Sequence, residues 1–97
     1  MKIRIELNQG QDIYVCNKIT GFLFRTALRL KERQESEGIS TYLLDDMAQF
    51  VCEVFGNQFN LSELYKGLEA NEILKVFNNV LRLVMNATIA YQKYGYP

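Results

Sequence analysis

The chain has 97 residues, enough for one domain with a modest core. Lys and Arg total 11 and so do Asp and Glu, balanced on both sides of Ala48, which counts against a nucleic-acid binder because such proteins usually carry a basic excess. The 48% hydrophobic and 23% charged content is that of a folded globular protein, and no histidine with only two cysteines excludes a Cys/His zinc site.

Cys16 and Cys52 are expected as buried free thiols of a reducing compartment, with a disulfide between them as the alternative. Met1 leads straight into alternating charged and apolar residues, unlike a secretory signal. No run of about 20 apolar residues is present to span a membrane. The expected location is the cytoplasm.

Lys2 to Leu7 alternates strictly, with Ile3, Ile5 and Leu7 on one side and Lys2, Arg4 and Glu6 on the other, the period of a half-exposed strand. Asn8-Gln9-Gly10-Gln11 reads as a turn, and Asp12 to Cys16 as a second strand with Ile13 and Val15 on one face. A lone hairpin is marginal in water, so its apolar face is expected to lie on the helices that follow.

Thr20 can cap a helix from about Gly21 to Glu37, in which Leu23, Phe24, Ala27, Leu28 and Leu30 share one arc. Arg25, Arg29 and Arg33 form a row on the opposite arc, with Phe22 at its edge. That row can grip phosphates or an acidic partner, or be a solvated face paired with Glu32, Glu35 and Glu37. Gly38 ends the helix. Ser40 or Thr41 caps a second one, reaching Phe55, with Leu43, Leu44, Met47, Ala48, Phe50, Val51, Val54 and Phe55 inward. Asp45 and Asp46 point about 100° apart on a helix and do not converge on a metal ion.

Phe50 to Ala70 reads as a compact corner. Gly56 sits where a helix ends in a left-handed residue. Asn60 with Glu63 makes a capping box for a short helix, Phe59 is placed to staple onto Leu64, and Gly67 stops the helix. A longer helix runs from Ala70 to about Ala90, with Ile73, Leu74, Phe77, Val80, Leu81, Val84 and Met85 inward. Val76, Leu83 and Ala87 widen its apolar arc to over half the circumference, so it is either central in the bundle or shared with a second chain. Residues 91–97 are expected to fray. The whole is an α+β domain, mostly α: an N-terminal β-hairpin (1–16) packed on a bundle of about four helices (21–90).

The chain has no histidine base, phosphate-binding glycine loop, nucleophile elbow or activated cysteine, which points to a non-enzyme that needs no cofactor.

Phe55-Gly56-Asn57-Gln58-Phe59 and Leu64-Tyr65-Lys66-Gly67-Leu68-Glu69-Ala70 resemble the tail assembly chaperones of long-tailed bacteriophages and prophages. The strand, glycine turn and strand from Ile3 to Val15, and Arg25-Thr26-Ala27-Leu28-Arg29-Leu30, are similar too, so the resemblance reaches about Asn86. It implies a cytoplasmic protein that binds the tape measure protein, keeps it soluble and helps recruit tail tube protein. It also implies that a longer, frameshifted form contacts the tube protein, this chain resembling the short form. Many such chaperones are acidic, whereas this chain is neutral.

The helical faces supply the candidate partner-binding residues: Val76, Leu83, Ala87 and Tyr91 on the last helix, then Phe22, Phe59 and Tyr65. A homo-oligomer through the last helix is a further expectation. The alternative is a small DNA-binding regulator using Arg25, Arg29 and Arg33.

Overall fold

The structure, a computed structural model, describes the backbone of residues 2–95 and the side chains of residues 2–86. A two-stranded antiparallel hairpin, β1 (Ile3–Leu7) and β2 (Asp12–Cys16), is followed by four helices: α1 (Gly21–Glu37), α2 (Thr41–Val54), α3 (Leu61–Lys66) and α4 (Ala70–Gly95).

The hairpin turns on four residues. Gln9 and Gly10 take positive φ (58° and 86°) and the Gln11 N–H donates to the Asn8 carbonyl at 3.1 Å, as in a type I′ turn. That loop pairs Leu7 with Asp12, Ile5 with Tyr14 and Ile3 with Cys16. Tyr14 and Cys16 therefore share the inward face with Ile3, Ile5 and Leu7. Ile13 and Val15 face outward, 50% and 38% exposed, opposite to an inward placement. Loop length sets the register, and a shift of one residue moves every side chain to the other face.

Thr20 caps α1 by accepting the Leu23 N–H at 3.2 Å, and Ser40 caps α2 by accepting the Leu43 N–H at 3.1 Å. Each supplies an acceptor to a first-turn N–H that has no helical partner. On α1 the buried stripe is Leu23, Ala27 and Leu30. Phe24 is only half-buried and Leu28 is exposed, so the stripe is narrower than the apolar arc. On α2, Leu43, Met47, Ala48, Phe50, Val51, Cys52 and Val54 are buried.

The last helix is central, packing against α1, α2 and β1. It buries Phe77, Val80, Leu81 and Val84, while Leu74 is exposed. It continues past Ala90 to Gly95. Tyr96 and Pro97 lie outside the described residues. The buried residues, among those described, are all apolar. No helix there is long and apolar enough to cross a membrane.

Candidate partner-binding surface

The corner between α2 and α4 positions everything around it. The Gly56 N–H donates to the Glu53 carbonyl at 3.0 Å and the Asn57 N–H to the Cys52 carbonyl at 2.8 Å, the paired bonds of a Schellman motif. Both residues take positive φ (65° and 58°), which glycine adopts freely and asparagine more readily than most. Gln58 Nε2 donates to the Phe55 carbonyl at 2.8 Å and to the Val15 carbonyl on β2 at 3.3 Å. Asn60 and Glu63 complete a reciprocal capping box on α3.

Gly67 has a different role from Gly56. Its φ of −83° is open to any residue. A Cβ there would lie 2.8 Å from Leu7 Cβ and 3.0 Å from the Glu63 carbonyl oxygen. Its carbonyl accepts the Asn8 N–H at 2.8 Å. Glycine at this position lets the end of α3 touch the hairpin, and with Gln58 it holds both strands.

The sequence-derived candidates fall into three groups. Phe59 is 2% exposed and packs on Tyr14 and Phe55, with ring centroids at 4.8 and 5.8 Å, so its ring is closed to a partner in this conformation. Tyr65 is half-buried, donates from its hydroxyl to Asp45 Oδ1 at 2.7 Å and meets Phe77 edge-on at 6.3 Å, which ties α3 to α2 and α4. Burial, then the Asp45 carboxylate, pushes the Tyr65 phenol well up from its ordinary range. Phe22, 67% exposed at the start of α1, is open to a partner. Val76 and Leu83 are half-buried on one margin of α4, and Val76 borders a shallow outer groove with Lys75, Asn79 and Arg82. The side chains of Ala87 and Tyr91 lie outside the described residues.

A family model described as phage tail chaperone protein matches residues 1–93, from the hairpin into the last turns of α4. The chain belongs to the phage tail chaperone family. No curated protein and no solved structure matches it. The match covers the clamped hairpin, the corner and the bundle together, in an assembly-factor family whose work is not catalytic.

The remaining chemistry of this tail chaperone concerns the arginine row and the thiols. Arg33 is already engaged by Asp46 at 2.6 Å and Glu37 at 3.5 Å; its hydrogen bond to Asp46 raises its pKa. The row therefore presents Arg25 and Arg29 with a partly neutralised third member. Cys16 and Cys52 are both buried and free, and burial pushes the Cys52 thiol up, away from the reactive thiolate. Among the described residues, no group of Cys, Asp and Glu side chains could hold a metal ion.

Periodicity alone misses three exposed apolar features: the Ile13 and Val15 pair outside the hairpin, Ile39 and Tyr42 around the α1–α2 link, and Leu74 on α4. For the first, the signal is the four-residue turn. It also misses a groove between α1 and α4 that takes its polar lining from both helices.

Proposed function

We propose that this tail chaperone acts in the cytoplasm of the bacterial host, where it binds the tape measure protein, keeps that long helical chain soluble and helps recruit tail tube protein. The observation that carries the reading is the family match over residues 1–93. The surface supports it. A protein that holds amphipathic helices needs apolar margins on rigid elements and no reactive group. Val76 and Leu83 on α4 and Phe22 on α1 supply such margins. Tube recruitment runs mainly through a frameshifted longer form, and copies of the chain associate through α4.

Co-expression with the tape measure protein tests this. Soluble tape measure should depend on the chain, and the two should co-elute at high salt. Val76→Asp with Leu83→Asp should lower retained tape measure roughly tenfold, while circular dichroism still shows a folded helical domain. Tape measure equally soluble without the chain, and no complex with it, would remove the reading. A complex with DNA that dissolves steeply with salt would favour the arginine row instead.

A further inference from the structure

The helices α1 and α4 pack together and leave a groove of about 360 Å³ between them. Leu81 and Met85 of α4 give it an apolar lining. Lys31 and Gln34 of α1, with Asn78 and Arg82 of α4, give it a polar and cationic one. Leu74, Asn78, Leu81 and Met85 lie along one stripe of α4, alternately four and three residues apart, the spacing with which one helix receives another. On α1, exposed Leu28 falls on the same flank as Lys31.

Two observations say what this groove is short of. Gln34 Oε1 is buried from solvent and has no hydrogen-bond donor among the described residues, an arrangement that folded proteins avoid. Arg82 donates to Asn79 at 2.7 Å and meets no carboxylate among the described residues, while Lys31 is only loosely held by Glu35 at 3.9 Å. The neutral total conceals a local excess. From Ile73 to Pro97 the chain carries Lys75, Arg82 and Lys93 and no Asp or Glu.

We infer that the α1–α4 groove seats one acid-bearing amphipathic helix of a partner. An aliphatic side chain lies against Leu81 and Met85, a polar donor reaches Gln34 Oε1, and a carboxylate faces Arg82 and Lys31. Resting on the function proposed above, that helix belongs to the tape measure protein. A second copy fits less well, because pairing this flank with itself about a two-fold axis sets cations against cations. The groove adjoins the outer one that Val76 borders, since Asn78 and Arg82 line both, but Lys31, Gln34, Leu81 and Met85 belong to it and not to the outer one.

The test uses the full chain, tagged and co-expressed with overlapping fragments of the tape measure protein. Lys31→Glu with Arg82→Glu is compared with Arg25→Glu with Arg29→Glu, an equal change of charge on the opposite arc of α1. The expected result is a roughly tenfold loss of one retained fragment for the first pair and none for the second. Acid-to-lysine changes in that fragment should restore retention. If the first pair does not fold by circular dichroism, Lys31→Gln with Arg82→Gln takes its place.

Equal retention by both pairs, with loss only for Val76→Asp and Leu83→Asp, would overturn the groove and leave the proposed function standing. Equal loss from both pairs would reduce the effect to bulk charge and overturn it too. So would a dimer that the groove variants convert to a monomer, since a second copy would then be the occupant. No fragment retained by the unaltered chain would overturn this inference and the proposed function together.

Discussion

In the corner from Phe55 to Gly67, Gly56, Asn57, Gln58, Asn60 and Glu63 direct their hydrogen bonds back into the chain. Along the α1 side of α4, Asn78, Arg82 and Asn86 instead line an open groove. The corner is also where the Phe-Gly-Asn-Gln-Phe and Tyr-x-Gly-Leu strings fall. The residues that make the chain recognisable are thus mostly occupied in building it. The groove proposed to meet a partner lies where local folding rules leave atoms unengaged.

Variants can break or sharpen that contrast. Phe59→Ala should cost about 3–5 kcal/mol, since it leaves a cavity between Tyr14 and Phe55. That is a large share of the roughly 5–15 kcal/mol that holds a small domain together, so a urea midpoint close to that of the unaltered protein would refute the packing.

Gly67→Ala should cost about 1–3 kcal/mol through overlap with Leu7. Gly56→Ala should cost about 1–2 kcal/mol through backbone conformation alone. A double-mutant cycle separates the two mechanisms. Leu7→Gly, which removes the Cβ that a Gly67→Ala methyl would meet, should couple strongly to Gly67→Ala and not to Gly56→Ala.

Asn60→Ala should cost about 1 kcal/mol by freeing the Glu63 N–H at the start of α3. Tyr65→Phe should lose about 1 kcal/mol near neutral pH with the bond to Asp45. Its sharper signature is alkaline. The folded phenol holds its proton above the ordinary value of 10.0. Below that value both states are protonated and the stabilisation is complete. Above it the unfolded chain ionises first, so stability falls as pH rises until the folded phenol titrates as well. Urea midpoints at neutral and strongly alkaline pH should therefore fall less for Tyr65→Phe than for the unaltered chain. At the small end, Lys31→Glu with Arg82→Glu should barely move the urea midpoint, because exposed charges contribute little to folding.

Much of the fold was legible because local rules coincide with the tertiary solution. Thr20, Asn60 and Gly38 cap or end helices where short-range chemistry places them, and both strands span the residues that alternation indicates. The second strand shows where periodicity fails. Ile13 and Val15 on one parity compete with Tyr14 and Cys16 on the other, so alternation cannot choose a face and the turn decides. Phe59 illustrates the same limit for the candidate surface. Its place just before a cap reads equally as staple or contact, and only Tyr14, far away in sequence, settles that it is core. Gly67 looked like a helix stop, but the reason for glycine there is Leu7, which no local pattern reveals. The α1–α4 groove was illegible for a related reason, since its lining comes from two helices far apart in the chain.

The clamps on the hairpin also set an order of events on the ribosome. Ile3, Ile5 and Leu7 emerge before the groups that hold their strands, Gln58 and Gly67, are made. At bacterial and eukaryotic synthesis speeds the roughly 50 residues between Cys16 and Gly67 take about 3–10 s. A two-stranded hairpin alone is marginal through that interval. The nascent hairpin therefore waits, with an uncovered apolar strand, for the corner to leave the exit tunnel. A strand made early is thus among the last parts to become native.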